Sequence, residues 1–308
     1  MSQIQPPPVG GWRTDPATKY NCMALDINTA KQQFTDYLAS KKRARATIVA
    51  YRKDVDQMLS FIRHGGMETI TGISKDHLEA FLKNLKSDNY TPKSISRKIN
   101  SIKTFFRYLK GETLIAQNPA EKLEHPKFES KPPRILSKME YRALRDACRG
   151  DVRMYAIVEL FLQTGVRIGE LAGLTVDDVK NTDLCIKAQE GHDERTVPLN
   201  KAAIDAVTQY LKVRKDNGKS NALFITKTGN QLLIRNIRTA IDRYFRIAGI
   251  EGAKVNDLRH TFIAHHLMAG TSVQALSKLV GHKRASTTEK YMELVKGIKT
   301  DNVKLGEL

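Results

Sequence analysis

The residues able to do chemistry fall in a few short stretches. In Gln163-Thr164-Gly165-Val166-Arg167-Ile168-Gly169-Glu170-Leu171, a glycine that permits close backbone approach stands just before an arginine. Asn256-Asp257-Leu258-Arg259-His260 opens a segment of helical texture that continues through His265 and His266. Val280-Gly281-His282 precedes another such segment, with Tyr291 nine positions after His282. Two arginines, a histidine and a tyrosine suit metal-free phosphoryl transfer: forked guanidinium donors neutralise the phosphate, and the phenol oxygen attacks it. The sequence contains no glycine-rich phosphate loop, no carboxylate cluster for magnesium and no His-Glu-x-x-His helix, so neither a metal nor a cofactor is expected. Each feature alone has a plainer reading. An arginine after Thr-Gly is commonly a surface ion pair, a tyrosine near a helix end is commonly core, and His265-His266 reads as packing. The order of the stretches along the chain is what adds weight.

Something must hold these residues together. At roughly 100–200 residues per domain, 308 residues make two domains. A 41% hydrophobic and 27% charged composition reads as globular, and no stretch approaches the roughly 20 apolar residues of a membrane span. Cys22, Cys148 and Cys185 are scattered and odd in number, which excludes a disulfide framework and points to a reducing cytosol. The net charge of +18 calls for a polyanionic partner. Residues 1–133 carry 22 Lys+Arg against 13 Asp+Glu, and residues 134–308 carry 29 against 20. The equal excess suits two modules on one nucleic-acid backbone better than a basic tail on a neutral enzyme.

Residues 1–27, with Pro6-Pro7-Pro8 and Gly10-Gly11, read as a flexible tail. Residues 28–124 read as a bundle of four or so helices. Phe34, Tyr37 and Leu38, then Met58, Phe61 and Ile62, then Leu78, Phe81 and Leu82 recur at helical spacing. Thr47 is the expected cap of the second helix, and Thr91-Pro92 opens a long one bearing Ile95, Ile99, Ile102, Phe105 and Phe106. Lys41, Lys42, Arg43 and Arg45 before the second helix, and Lys93, Arg97 and Lys98 on the polar side of the long one, are the candidate DNA contacts. Proline-rich residues 125–135 read as a linker. Residues 136–308 read as a mixed α/β domain. Ser137-Lys138-Met139-Glu140 has the pattern of a capping box. Leu184–Ala188 and Arg195–Leu199 read as a small hairpin, Ala222–Thr226 as a further strand, and the chain from Ile234 onward as helix.

Thr164-Gly165-Val166-Arg167-Ile168-Gly169-Glu170-Leu171, Leu258-Arg259-His260-Thr261-Phe262, Val280-Gly281-His282 and Thr287-Thr288-Glu289-Lys290-Tyr291 together resemble the boxes of the tyrosine recombinase (phage integrase) family in its Xer-like simple form. The resemblance covers about residues 28–300. It implies a mainly helical protein: an N-terminal SAM-like core-binding bundle and a C-terminal mixed α/β catalytic domain that close as a C-shaped clamp on DNA. It further implies a homotetramer on two duplex sites with inverted half-sites, aided by accessory DNA-bending proteins, and a cytoplasmic, nucleoid-associated location. By the same resemblance Tyr291 attacks the scissile phosphate to form a 3′-phosphotyrosyl link, and the released 5′-hydroxyl later attacks the partner duplex. Arg167 and Arg259 hold the non-bridging oxygens, His282 bonds the phosphate or assists Tyr291, and Glu170 supports an arginine.

Two positions depart from the family pattern. Asn256 stands where a His or Lys is usual, so it can donate a hydrogen bond but supplies neither charge nor a transferable proton at pH 7. Aligning Glu194-Arg195-Thr196-Val197-Pro198-Leu199 with the family hairpin puts Glu190 where a lysine protonates the leaving oxygen. Lys187, pointing to the opposite face, and His192 at the tip are the other donors at hand. Two further functions fit these residues: an accessory DNA-binding protein with impaired chemistry, and a type IB topoisomerase. The full set Arg167, Arg259, His282 and Tyr291 argues against the first, and the helical N-terminal module argues against the second.

Overall fold

A computed structural model describes residues 26–41, 43–129, 131–189, 191–215 and 218–296. The chain divides between residues 130 and 131 into two compact units. The tail, Lys42 and Glu190 lie outside the described residues.

The first unit holds α1 (Ile27–Ser40), α2 (Arg45–His64), α3 (Lys75–Ser87) and α4 (Pro92–Gly111). Polar side chains close the orphan N–H groups at three helix starts: Asp26, Ser74, and Thr91 followed by Pro92. Thr47 is not a cap. The chain leaves α1 and enters α2 within a few residues, so α2 starts at Arg45 with Ala44 before it and no side-chain cap bond. Phe34, Met58, Phe81, Ile99 and Phe105 meet in the core. The expectation for Lys98 also fails. Asp54, buried on α2, needs compensation, and Lys98 Nζ, 4% exposed as a residue, donates to Asp54 Oδ1 (3.0 Å) and Gln57 Oε1 (2.6 Å). Ser101 and Arg97 also bond Asp54. A lysine committed to a buried carboxylate is unavailable to a phosphate. Lys41, Arg43, Arg45 and Lys93 are exposed, and Arg97 is half-exposed beside its ion pair.

The second unit runs α5 (Lys138–Cys148), α6 (Val152–Thr164), α7 (Ile168–Gly173), β1 (Val179–Lys180), β2 (Asp183–Ile186), β3 (Arg195–Pro198), α8 (Lys201–Val213), α9 (Ile234–Ile247), α10 (Val255–Met268), α11 (Val273–Val280) and α12 (Ala285–Lys296). Ser137 and Glu140 form the capping box of α5. Helix α6 is buried from Ala156 to Thr164, its Glu159 paired with Arg145, and packs against α5, α8, α9 and α10. The antiparallel sheet has order β1-β2-β3, with Leu184 opposite Val197 and Ile186 opposite Arg195. Its inner face buries Leu184, Ile186 and Val197. Residues Ala222–Thr226 form no strand: single bridges, Thr175 to Ala222 and Ile225 to Gln231, and hydrogen bonds to Arg153, Arg214 and Tyr210 hold that loop. On α12, Leu294 and Val295 pack against the core of their own unit. Among the described residues no helix is long and apolar enough to cross a membrane.

Candidate active site

Two helix ends build the site. Helix α6 ends at Gly165 and α11 at Gly281, both left-handed (φ 59° and 66°), a conformation that costs other residues about 1–2 kcal/mol. Around Gly281 the backbone closes a Schellman turn, His282 N–H to Ser277 O (2.9 Å) and Gly281 N–H to Lys278 O (3.1 Å). The next three carbonyls have no partner within the helix and would remain orphaned. Each is taken by a different arginine. Arg195 Nε donates to Leu279 O (2.9 Å), Arg259 Nη2 to Val280 O (2.6 Å) and Arg167 Nη2 to Gly281 O (2.6 Å). At the end of α6, Arg259 Nη1 donates to Gly165 O. The negative ends of two helix dipoles thus gather three cations.

Among the described residues Glu170 is the one carboxylate that touches this group. Its Oε1 accepts from Arg167 Nη1 (2.7 Å) and Arg195 Nη1 (2.8 Å), and its Oε2 from Arg167 N–H (2.8 Å) and Arg195 Nη2 (2.7 Å). Burial alone would raise its pKa. The Arg195 hydrogen bonds and the Arg167 backbone N–H outweigh that and hold it at about 2. Arg259 is held by neutral carbonyls and has no direct ion pair, and the partial compensation by Glu170 is outweighed. Burial first, then Arg167 and Arg195, push its pKa down to about 9. Of five N–H groups on each guanidinium, Arg167 and Arg259 commit two to these side-chain bonds, leaving three apiece for a ligand.

Tyr291, buried on α12, sits against this charge. Its hydroxyl lies 2.5 Å from His260 Nδ1, and His260 Nε2 lies 2.7 Å from Asn256 Nδ2. Burial raises the tyrosine pKa while Arg259 lowers it. The His282 ring is nearly parallel to the Tyr291 ring, 6.5 Å away, without bonding its hydroxyl. Instead His282 Nδ1 lies 2.7 Å from the buried Thr288 hydroxyl. A hydroxyl donating there leaves the histidine proton on Nε2. Burial, then Arg259, Arg167 and Arg195, push the His282 pKa down to about 4, so at neutral pH the ring is a neutral hydrogen-bond donor.

Arg167, Arg259, His282 and Tyr291 are therefore brought together. Asn256, exposed at the start of α10, joins them through His260. The hairpin candidates fare differently. Lys187 Nζ is 2.9 Å from Asp178 Oδ1 and donates to Thr175 Oγ1, an ion pair on a 60% exposed side chain. His192 bridges back to Gln189 across the turn, and its Nδ1 is buried without a partner. Burial and Arg167 lower its pKa, so it is no acid at pH 7. The lysine that does reach the turn is Lys283: a Cβ built on Gly191 would lie 3.4 Å from its Nζ.

Arg195 and His260 escaped the sequence reading of roles, yet both carried a signal. Arg195 alternates with inward-facing Val197 and Leu199, a charge on the core side of a strand. His260 stands four residues after Asn256, side by side on one helix face. Among the described residues no group of three or more His, Cys, Asp or Glu could hold a metal. What the arrangement offers is a cluster of guanidinium donors with N–H groups to spare near a phenol oxygen.

Comparison with known proteins supports the same chemistry. Residues 134–297 match the model of the phage integrase family, and residues 32–113 match that of the phage integrase N-terminal SAM-like domain. Tyrosine recombinase XerC of Herpetosiphon aurantiacus is 31% identical over 84% of this chain and 89% of its own. Tyrosine recombinase XerC of Natranaerobius thermophilus is 32% identical over 84% and 91%. Among solved structures, XerA recombinase is 28% identical over 86% of this chain and 93% of its own, with a TM-score of 0.50. A lambda integrase tetramer bound to a Holliday junction, 16% identical over 92% and 82% with a TM-score of 0.72, shares the fold.

Proposed function

The chain belongs to the phage integrase family, and from that premise we propose that it is a site-specific tyrosine recombinase whose nucleophile is Tyr291. The Tyr291 oxygen attacks the scissile phosphorus, the bond to the 5′-oxygen breaks, and a 3′-phosphotyrosyl link stores the bond energy. A 5′-hydroxyl from the partner duplex then reverses the step on a new strand. Arg167 and Arg259 bind the non-bridging oxygens through their uncommitted N–H groups, and His282 donates a neutral hydrogen bond through Nε2. Asn256 takes part through His260. Arg195 and Glu170 position the arginines without touching the phosphate.

Residues 28–124 serve as the DNA-binding core-binding domain and residues 136–308 as the catalytic domain. Lys41, Lys42, Arg43, Arg45 and Lys93 supply phosphate contacts in the first. The working assembly is a homotetramer that joins two sites of inverted half-sites, with accessory DNA-bending proteins, to integrate, excise or resolve a mobile DNA element in the nucleoid.

The observation that supports this reading most directly is the buried Tyr291 hydroxyl under the charge of Arg259, which the ends of α6 and α11 hold in one cluster with Arg167 and Arg195. The test is covalent trapping. The full chain selects its half-site from a pool of randomised duplexes, and that half-site, nicked beside the cleavage point, becomes a suicide substrate. Tyr291→Phe is expected to bind it with unchanged affinity and to form no adduct. An adduct in that variant would place the nucleophile elsewhere.

A further inference from the structure

The hydrogen-bonded chain from Tyr291 through His260 to Asn256 has the form of a nucleophile, a base and an orienting group. We propose that His260 is the general base that takes the Tyr291 proton, and that Asn256 is the positioning residue that fixes its tautomer. The inference rests on Tyr291 being the nucleophile. It assigns to His260 the assistance to Tyr291 that the family resemblance gave to His282.

The geometry separates the two histidines. His260 Nδ1 is 2.5 Å from the hydroxyl, within reach of the proton that must leave. His282 faces the same tyrosine ring to ring, with its Nδ1 given to Thr288. Their charged neighbours differ as well. His282 feels Arg259, Arg167 and Arg195, all of which oppose a second positive charge there, together with His260. Facing His260 are Arg259, which opposes protonation, and Asp257 on its own helix, which favours it. Burial lowers the His260 pKa and raises that of Tyr291, which favours the neutral form of each.

Asn256 decides which ring nitrogen is the base. The amide atom 2.7 Å from Nε2 is Nδ2, which donates to it and leaves the ring proton on Nδ1; the base form follows a flip of the terminal amide. Turned so that Oδ1 faces the ring, it accepts Nε2–H, and Nδ1 presents its lone pair to the hydroxyl. The step then balances. As the phenol oxygen bonds to phosphorus, its proton passes to Nδ1 and the imidazolium donates through Nε2–H to Asn256. The P–O5′ bond breaks, and the 5′-oxygen is protonated from the hairpin side by water or the Lys283 ammonium. On rejoining, Nδ1–H returns the proton to the departing phenolate. Asparagine at position 256, a departure from the usual His or Lys, thereby becomes part of a working relay.

The test uses the full chain and the suicide duplex described above, with single-turnover adduct formation followed from pH 6 to 9.5. His260→Ala should bind DNA normally and cleave about 10²–10⁴-fold more slowly. Its rate should rise in proportion to hydroxide, and added imidazole should restore part of it. His260→Gln keeps bulk and hydrogen bonding but cannot take a proton, so it should be equally slow. This second variant decides the matter if the alanine form fails to bind DNA. Asn256→Ala should lose roughly tenfold, and Asn256→Asp should move the acid limb of the pH profile upward. His260 variants that cleave at the parent rate with the parent pH profile, while Tyr291→Phe forms no adduct, overturn the base and leave the nucleophile standing. An adduct in Tyr291→Phe overturns the nucleophile itself.

Discussion

Replacing Glu170 by Gln removes one negative charge and almost no volume from the point where two arginines converge. Glu170 is 4% exposed and accepts four N–H donors, two through each oxygen. Gln offers one oxygen and turns an NH₂ group toward a guanidinium, so at least one donor faces another donor. The drop in pKa from 4.5 to about 2 corresponds to roughly 3 kcal/mol favouring the ionised form in the folded state. Removing one partner of a buried ion pair costs about 3–5 kcal/mol, which agrees in size. Glu170→Gln should therefore destabilise the second unit by about 3 kcal/mol at pH 7.

The same numbers fix the pH dependence. The folded-state pKa is depressed, so the contribution is complete above about 4.5 and fades as pH falls toward about 2. The gap between parent and variant should be about half its full size near pH 3.2. The sole tryptophan, Trp12, lies outside the described residues, so the assay is urea unfolding of the full chain followed by far-ultraviolet circular dichroism. Where two transitions resolve, only that of the second unit should move, because Glu170 belongs to it. A loss below about 1 kcal/mol, well short of the 3–5 kcal/mol expected for a broken buried pair, would refute the assignment of Glu170 as the arginine anchor. So would a gap that stays constant down to pH 2.5.

Other outcomes follow from the same geometry. Gly165→Ala should cost at least about 2 kcal/mol and lower adduct formation, because it adds left-handed strain and a methyl aimed at the buried Phe262 ring where Arg259 is held; a parent-like melting curve would count against this. With Glu190 at the lysine position, a duplex with a 5′-bridging sulfur should be cleaved about 10²–10⁴-fold faster than the oxygen duplex, since its leaving group needs no proton; equal rates would reveal an acid already in place. Glu190→Lys should close that difference, Lys283→Ala should widen it, and Lys187→Ala should leave it unchanged, as single-turnover rates on both duplexes will report. Replacing Lys41, Arg43 and Arg45 by alanine should flatten the dependence of log K on log salt by up to about 0.9 per lost phosphate contact, and an unchanged slope would remove them from the interface.

Elements and site were legible to different depths. Helices α1, α3, α4 and α5 could be read because apolar spacing and a capping side chain coincide at each, as at Thr91-Pro92 and Ser137 to Glu140. Helix α8 went unread, and the loop at Ala222–Thr226 was taken for a strand, because a short apolar run has no period of its own and only the bridges to Thr175 and Gln231 decide its state. Lys98 was misplaced for a related reason. A lysine on the polar side of a helix looks solvated until a buried Asp54 arrives from another helix, and sequence does not show that meeting. Leu294 and Val295 pack in cis on the core of their own unit, and the chain after Lys296 lies outside the described residues.

The motif residues were legible as types, but the logic joining them was not. A glycine before an arginine suggests close approach to a ligand, whereas Gly165 and Gly281 end helices and expose carbonyls to the site's own arginines. Those carbonyls orient a guanidinium without neutralising it, and that distinction sets the electrostatics. Arg167 and Arg195 share one carboxylate, and Arg259 has none, so the site carries net positive charge where burial makes charge expensive. The depressed values at Arg259 and His282 are the visible cost. On the proposed mechanism, a phosphate entering this site relieves repulsion that folding has already accepted, and the relief grows as negative charge builds on the non-bridging oxygens in the pentacoordinate state. Holding the arginines with carbonyls thus places the unfavourable energy in the DNA-free protein and its release near the transition state, where it accelerates the reaction.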